Sequence, residues 1–241
     1  MIKFFKTIRR KLLSENKFSK YLFYAMGEIL LVMVGILLAF QVNQWNEKRK
    51  ESSIETDLLE EIYVSLQNDL NDVKININSQ SKIINYQEKI VQWLESETNF
   101  QDSISKHLPK ICENTSFAYM NNPYETLKRK GYRSIRNDSL RVQIAKLYEL
   151  TYPSYIGMSN NYSDMGNRNI PNIREHLKEV NFFTSKPIEI NNFDNLKADK
   201  GIRFDLRTQM NIGGLLLFRM EETKRQIEST LVLLEIEIEK R

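Results

Sequence analysis

The chain has 241 residues, of which 27% are charged, and it contains eight glycines and five prolines. So few turn-forming residues argue against an all-β fold, and the single cysteine, Cys112, excludes an internal disulfide. The net charge of +4 arises in residues 1–20, where seven basic side chains and one acidic side chain sum to +6, so that residues 21–241 sum to −2. Outside the first 20 residues the composition does not indicate a nucleic-acid-binding surface, and we expect no nucleic acid partner.

Residues 1–20 form a basic arm. Apolar residues at Ile2, Phe5, Ile8 and Leu12 recur at helical spacing, with basic side chains between them. This pattern predicts a short amphipathic helix on the inner leaflet of a membrane, where anionic lipids attract basic side chains. A basic flank without fixed structure is the alternative interpretation.

Residues 21–42 form an apolar run of 22 residues with one charged side chain. As a helix this run is ~33 Å long at ~1.5 Å per residue, enough for the ~30 Å hydrocarbon core of a bilayer. Tyr21 and Tyr24 lie at one end and Trp45 lies just beyond the other, as in the aromatic belts of membrane proteins. The sequence therefore predicts a single transmembrane helix with the lipid bilayer as its partner.

Three other interpretations of this run fit less well. A cleaved signal peptide needs a site of small residues, and Ala39 is followed by Phe40, Gln41 and Val42. A buried core helix is rarely so long and so apolar. A helix that lies flat on the membrane needs a polar face, whereas this run is apolar on nearly all sides.

Charge on the two flanks predicts the orientation of the helix. Residues 43–62 contain three basic side chains, Lys48, Arg49 and Lys50, mixed with six acidic ones, against seven basic side chains in residues 1–20. The more basic flank usually stays in the cytoplasm. We therefore expect a protein of the bacterial inner membrane, with its N-terminus in the cytoplasm and a C-terminal domain of residues 43–241 in the periplasm.

The charged residue inside the apolar run is Glu28, which lies ~10 Å from the inner end of the predicted helix. Helical geometry places Gly35, Ala39 and Asn46 within about 20° of Glu28, and Gly35 and Ala39 form a pair of small residues that lets two helices approach closely. We interpret these four residues as a packing face for another membrane helix. The alternatives are a glutamate that is tolerated near the interface and an ion or proton pathway.

Several short motifs in the first 47 residues resemble those of a known family. They are Ser14–Tyr21, Gly27–Ile29, Gly35–Ala39 and Gln41–Glu47, and further along the chain Tyr124–Gly131 and Asn137–Arg141. The family is an uncharacterised group of small single-pass membrane proteins common in Bacteroidota, known only as a domain of unknown function. The resemblance implies an envelope protein of a Gram-negative bacterium and implies no activity. Glu28 matches one of the family's motif positions.

The chain after the anchor begins with a long stretch that contains no glycine or proline between Gly35 and Pro109. Apolar residues at steps of mostly three and four predict one helix over residues 53–96. These residues are Leu59, Ile62, Leu66, Leu70, Val73, Ile77, Ile84, Val91 and Leu94. Ser52–Glu55 resembles a capping box, so the sequence leaves open whether this helix continues from the anchor.

The last helix has the clearest pattern. Its predicted apolar stripe comprises Leu206, Met210, Gly213, Leu217, Met220, Lys224, Ile227, Leu231, Leu234 and Ile238. We expect it to pair antiparallel with the helix over 53–96, and we expect Lys224 to be paired or to extend to solvent. The fold class is therefore all-α, with a single N-terminal transmembrane helix followed by an extended antiparallel helical bundle that has long first and last helices.

Shorter elements are predicted between these two helices. They are a helix around 103–113, a helix from Pro123 to Gly131, a helix over 139–151 that Pro153 ends, one or two helices over 155–183 broken near Pro171, and a loop over 184–201.

No pattern in the chain predicts catalysis, a cofactor or a metal. His107, Cys112 and Glu113 lie close together, but their spacing fits no metal or nucleophile motif. Tyrosines concentrated between residues 119 and 162 are typical of a core with hydroxyls at its rim, with a ligand pocket as the alternative. A local basic patch is either a solvated face or a site for an anionic partner; it comprises Arg129, Lys130, Arg133, Arg136 and Arg141.

The sequence favours a membrane-anchored, non-enzymatic interaction or scaffold module. Its transmembrane helix would assemble with a second copy of the chain or with another membrane protein. The alternative hypothesis is a periplasmic ligand-sensing helical bundle that signals through a partner.

Overall fold

The computed structural model describes residues 18–96, 99–178 and 189–240. The described helices are α1 (Phe18–Glu95), α2 (Asp102–Ser105), α3 (Asn122–Lys130), α4 (Asp138–Lys146), α5 (Tyr152–Arg174), α6 (Phe193–Ala198) and α7 (Lys200–Glu239). Short 3₁₀ turns occupy Leu108–Cys112 and Tyr132–Ser134, and Leu177 and Ile190 form an isolated antiparallel bridge. The prediction of an all-α fold with long first and last helices is confirmed. The amphipathic helix predicted near the N-terminus falls on residues 1–17, which lie outside the described residues.

The predicted anchor and the first helix of the bundle are one helix, α1. Ser52–Glu55, which could have begun a new helix, lies within α1. The absence of glycine and proline between Gly35 and Pro109 explains why nothing interrupts the backbone ladder. By their contacts the residues divide into two units, Met1–Ile54 and Glu55–Arg241, and α1 contributes residues to both.

In the second unit α1 is buried along one face. One row of its buried residues follows alternating steps of three and four, the spacing of a helix packed against neighbours on one side. These residues are Glu55, Leu59, Ile62, Leu66, Asp69, Val73, Asn76, Gln80, Ile83, Gln87, Ile90 and Leu94. The predicted core residues Leu70, Ile77 and Ile84 are half-buried beside this row. Five of the twelve positions in the row are polar instead: Glu55, Asp69, Asn76, Gln80 and Gln87.

The buried row of α7 agrees with the predicted stripe at every second position and differs from it by one residue in between. It comprises Ile202, Leu206, Gln209, Gly213, Leu216, Met220, Thr223, Ile227, Thr230 and Leu234. The shared positions are Leu206, Gly213, Met220, Ile227 and Leu234. The predicted positions Met210, Leu217, Lys224 and Leu231 each lie one residue away and are half-buried. At three of the four displaced positions the core residue is polar (Gln209, Thr223 and Thr230), and a search for apolar spacing passes over polar residues. Lys224 is paired as expected, with its Nζ 3.6 Å from Glu221 Oε2.

α1 and α7 run antiparallel, as predicted. Arg207 Nε donates to Glu95 Oε1 at 3.1 Å, and Lys74 Nζ lies 4.0 Å from Glu228 Oε1. A residue late in α1 therefore faces the start of α7, and a residue earlier in α1 faces its second half. Apolar residues of both helices lie together in two core clusters, one that includes Leu59 and Leu234 and one that includes Leu94 and Leu206.

α4 and α5 form the third long element of the bundle. Tyr152 and Tyr162 of α5 contact Asp69 and Gln87 of α1 through their hydroxyls, so α5 runs parallel to α1. Asn169 Nδ2 donates to Gln209 Oε1 of α7 at 3.1 Å. The second unit is thus a three-helix bundle.

The prediction that Pro153 ends a helix is wrong. A π-turn at Leu147–Thr151 follows α4 directly and leads into α5, where Pro153 lies in the first turn. Proline has no N–H to donate to the backbone, but N–H groups in the first turn of a helix have no partner within the helix, so none is lost there. The proline ring also clashes with a regular α-helical turn before it. The wider π-turn provides the room for the ring, so the helical path continues from Asp138 to Arg174.

Two further predictions concern the same region. Pro171 lies inside α5, and the helix ends three residues beyond it at Arg174, near the predicted break. The predicted loop over 184–201 contains α6, whose N-cap Asn192 accepts from the N–H of Asn195 at 3.0 Å. Asp199 caps α7 by accepting from the N–H of Ile202 at 3.1 Å. Asn and Asp signal both loops and helix starts, so their presence alone does not distinguish a loop from the beginning of a helix.

Candidate functional site

The most exposed apolar surface of the described chain is the first part of α1. An 18-residue window of this helix has a mean hydropathy of 2.2, and none of its residues is buried. Leu31 is 66% exposed and Phe40 is 59% exposed. The segment is long and apolar enough to cross a membrane. A core helix of a soluble protein would be covered by its own chain, and this segment is not.

The predicted packing face lies within this segment. Gly35, Ala39 and Asn46 are exposed, and Glu28 is partly exposed. A Cβ built on Gly35 meets no atom within 4 Å, so a second helix would find open space there. Trp45 is 66% exposed at the end of the segment. Tyr21 and Tyr24 belong to α1, but their side chains lie outside the described part of the structure.

A buried carboxylate, Asp69, lies at the centre of the bundle. Its Oδ2 accepts from the Tyr152 hydroxyl at 2.8 Å, and its Oδ1 accepts from the N–H of Met120 at 2.9 Å. Burial raises the pKa of Asp69 to about 6, although both hydrogen bonds lower it. Because the carboxyl group is fully enclosed, it fixes the segment around Met120 to α1 and α5 and is not accessible to a substrate.

The tyrosines form an aromatic core, in agreement with the first of the two interpretations. The rings of Tyr124 and Tyr148 stack with their centroids 4.5 Å apart. The hydroxyls of Tyr124 and Tyr132 both donate to Glu149 Oε1, at 2.7 and 2.8 Å. These hydrogen bonds lower the pKa of Glu149, which lies at the solvent-exposed rim. Tyr119, Tyr152, Tyr155 and Tyr162 complete the cluster.

The five basic residues of the predicted patch have different environments. Arg136 contacts the buried Glu55, with its N–H donating to Oε1 at 2.7 Å and its Nε 3.4 Å from Oε2. Arg141 pairs with Asp138 at 2.7 Å. Arg129, Lys130 and Arg133 are exposed, with Arg129 donating to the Thr126 hydroxyl. Part of this charge therefore stabilises the junction before α4.

The two histidines of the chain each contact another side chain. His107 stacks on Tyr86 with centroids 4.5 Å apart, and His176 Nε2 lies 3.0 Å from Asp199 Oδ2. The side chain of Cys112 lies outside the described part. Among the described residues, no group of three potential ligands could hold a metal ion.

Sequence reasoning missed a layer of buried amides between α1, α5 and α7. Gln87 Nε2 donates to the carbonyl of Ile111 at 2.8 Å and to the Tyr162 hydroxyl at 2.9 Å. Gln80 is fully buried opposite Gly213, whose added Cβ would lie 3.0 Å from Gln80 Nε2. A signal was present: extending the three-and-four spacing through polar positions would have placed both glutamines in the core.

Comparison with known proteins gives a family match over most of the chain. The sequence model of a family described as "Family of unknown function (DUF6090)" matches residues 28–200, which is 173 of the 241 residues. No curated protein matches the sequence significantly, and no solved structure does. The matched region begins at Glu28, inside the exposed apolar segment, and ends where α7 begins.

Proposed function

The chain belongs to the family of unknown function DUF6090, and we propose that it is a single-pass membrane protein that works as an interaction or scaffold module. In this proposal the helix at 21–42 anchors the bundle in the inner membrane of a Gram-negative bacterium, a member of the Bacteroidota. The chain is not an enzyme, and its membrane helix assembles with a second copy or with another membrane protein.

One observation carries the proposal: the apolar segment of α1 is uncovered. An apolar window with no buried residue exposes large side chains such as Leu31 and Leu38, each more than 60% accessible. Transfer of such a surface to water is unfavourable, at about 25 cal/mol per Å² of apolar area. A lipid environment removes that cost, and α1 satisfies its own backbone hydrogen bonds as a spanning segment must.

The charge distribution supports the orientation. Residues 1–20 contribute +6 to a net charge of +4, and the more basic flank of a spanning helix favours the cytoplasm. The bundle would then lie in the periplasm.

The packing face supports assembly through the membrane helix. Gly35 and Ala39 present small side chains on the side of the helix that also carries Glu28 and Asn46. A carboxylate in the apolar region costs a few kcal/mol on insertion scales, and contact with a second helix reduces its exposure to lipid.

Site-directed cross-linking in native membranes tests this assembly. Cysteine at Gly35 or Ala39, in a chain carrying Cys112→Ser, should give disulfide-linked dimers on mild oxidation. Cysteine at Leu30 or Leu37, on the opposite side of the helix, should give few. Cross-linking that is equal at all four positions contradicts a specific packing face.

A second candidate function is ligand sensing by the bundle. The observation that favours it is the continuity of α1, since a helix that includes both the apolar segment and the bundle core can pass a displacement along its length. Purification in mild detergent with mass spectrometry separates the two candidates. A fixed oligomer or a co-purifying envelope complex supports the scaffold, and a bound small molecule supports the sensor.

A further inference from the structure

An apolar groove of about 560 Å³ lies between α1 and α3 on the surface of the bundle. Its floor includes Val64 of α1 and Met120, which are 55% and 47% exposed, and Pro123 in the first turn of α3. Exposed apolar side chains that lie side by side favour contact with another surface, and the flexible side chain of methionine adapts to a partner of irregular shape. The groove therefore suits contact with a second protein surface.

The α1 side of the groove is acidic. Glu60 and Glu61, here called the acidic pair, line the groove one turn before Val64. Helical spacing places the three side chains on one face of α1. Both glutamates are exposed, and neither forms an ion pair with a residue in the described part of the chain.

The α3 side of the groove is basic. Thr126 lines the groove, and Arg129, one turn further along α3, donates to the Thr126 hydroxyl at 3.0 Å. Lys130 follows at a spacing of four from Thr126, which places it on the same face of α3. Arg129 and Lys130, here called the basic pair, are exposed and have no ion-pair partner among the residues that the structure describes. One apolar groove thus lies between two carboxylates and two cations.

The acidic and basic pairs lie at a similar level of the bundle. The Ser65 hydroxyl donates to the carbonyl of Met120 at 3.0 Å, and the N–H of Arg136 donates to Glu55 Oε1 at 2.7 Å. The chain from Met120 to Arg136 therefore runs beside α1 from Ser65 back to Glu55, and the end of α3 lies between these two contacts. A two-fold axis along the groove, parallel to α1, would place the acidic pair of each copy opposite the basic pair of the other.

We infer that this groove is an interface between two copies of the chain, in which each acidic pair binds the basic pair of the other copy around the apolar floor. The inference rests on the proposed scaffold function and names a second copy as its partner. An axis parallel to α1 keeps the two α1 helices parallel, as two copies anchored through α1 in one membrane require. Exposed ion pairs are individually weak, but the two-fold axis repeats each of them and the apolar floor adds buried area.

Disulfide cross-linking in native membranes tests the contact. In a chain carrying Cys112→Ser, Val64→Cys should give disulfide-linked dimers on mild oxidation, because Val64 lies on the groove floor. Val232→Cys on α7 is the matched control, since it replaces the same residue type at the same exposed fraction of 55%, and it should give few dimers. Absence of dimers at Val64, equal dimers at Val232, or a Val64→Cys product that contains a different protein each overturns the inference. Gly35→Cys dimers in the same membranes would then show that the contact of the membrane helices stands without it.

Charge reversal distinguishes an ion-paired interface from proximity alone. In the Val64→Cys chain, Glu60→Lys with Glu61→Lys should reduce the disulfide dimers at least about tenfold, because like charges then face each other on both sides of the axis. Arg129→Glu with Lys130→Glu should do the same. When the two reversed chains are produced together with tags of different size, the mixed dimer should form at the level of the parent, because opposite charges face each other again.

Lys82→Glu with Lys89→Glu is the matched control for charge. It makes the same change of net charge at two exposed positions of α1 that do not line the groove, and it should alter cross-linking by less than about twofold. A loss equal to that of the reversed basic pair overturns the inference, because net charge would then govern association. A mixed dimer that is no more abundant than the dimers of either reversed chain alone overturns it as well.

Discussion

At the scale of single residues, the buried carboxylate of Asp69 makes the stability of the bundle depend on pH. Its pKa is about 6 in the folded chain and 3.8 when unperturbed. Between these two pH values the folded chain holds a proton that the unfolded chain has released. The contribution of Asp69 therefore favours folding most below about pH 4, declines as the pH rises towards 6, and is constant above that.

Asp69→Asn should remove this dependence. A shift of roughly two pH units corresponds to at most about 3 kcal/mol. The asparagine amide can still accept from the N–H of Met120 and donate to the Tyr152 hydroxyl. We expect Asp69→Asn to be more stable than the parent at pH 7.5 and equally stable near pH 4. Chemical unfolding across pH 4–8 in mild detergent measures the difference.

Asp57→Asn is the matched control, because Asp57 is an exposed carboxylate of the same helix. It should leave the pH profile of the parent unchanged. If Asp69→Asn were less stable than the parent at pH 7.5, with the same profile, the ionised form of Asp69 would be the stabilising one.

At the scale of the elements, two adjacent glycines of α7 should respond oppositely to alanine. A Cβ on Gly213 would lie 3.0 Å from Gln80 Nε2, 3.2 Å from Tyr162 Cε2 and 3.3 Å from Ile84 Cγ1. Crowding in a packed core typically costs about 1–3 kcal/mol, against about 1 kcal/mol gained in helix propensity. Gly213→Ala should therefore lower the free energy of unfolding, by on the order of 1 kcal/mol.

Gly214→Ala should do the reverse, because a Cβ there meets no atom within 4 Å. It gains helix propensity alone, about 0.5–1 kcal/mol, or roughly 2–3 °C in Tm for a domain of this size. Differential scanning fluorimetry of both variants measures the contrast. Equal stabilisation by the two alanines would contradict the close contact of α1, α5 and α7 at Gly213.

The long helices could be predicted because their burial follows one spacing. From Glu55 to Leu94 and from Ile202 to Leu234 the core positions alternate in steps of three and four. Apolar residues at most of these positions reveal the helix and its antiparallel pairing. The phase of the stripe was missed where Gln209, Thr223 and Thr230 occupy the core, since polar residues there resemble surface residues.

Other features required the three-dimensional structure. The π-turn before Pro153 depends on how α4 and α5 pack, because the local sequence has the signals of a helix end. Asp69 and Tyr152 are 83 residues apart, and no local pattern indicates that a carboxylate in a helix will be buried against a tyrosine.

At the scale of the whole molecule, the charge asymmetry of the anchor predicts which parts are exposed outside the cytoplasmic membrane. A chain with Cys112→Ser and a new cysteine at Ser103, an exposed position of the bundle, should react with a membrane-impermeant maleimide in intact spheroplasts. A cysteine at Ser14, in the basic arm, should react after permeabilisation alone. Labelling in the opposite order would reverse the orientation.

Alkaline carbonate extraction of native membranes tests most directly whether α1 anchors the chain in a bilayer. Peripheral proteins are released by this treatment and spanning proteins stay with the lipid. A double variant that carries both Val34→Arg and Leu38→Arg extends the test. Each arginine adds about 2.5–3.5 kcal/mol to the free energy of inserting the segment into the membrane. The matched control is Leu215→Arg with Phe218→Arg, which places the same charges on exposed apolar positions of α7.

The parent and the α7 control should remain in the membrane pellet at full length, and the variant of residues 34 and 38 should be lost from it. Release of the parent chain into the carbonate supernatant, or its recovery as a shortened soluble form that lacks the apolar segment, would contradict the membrane anchor.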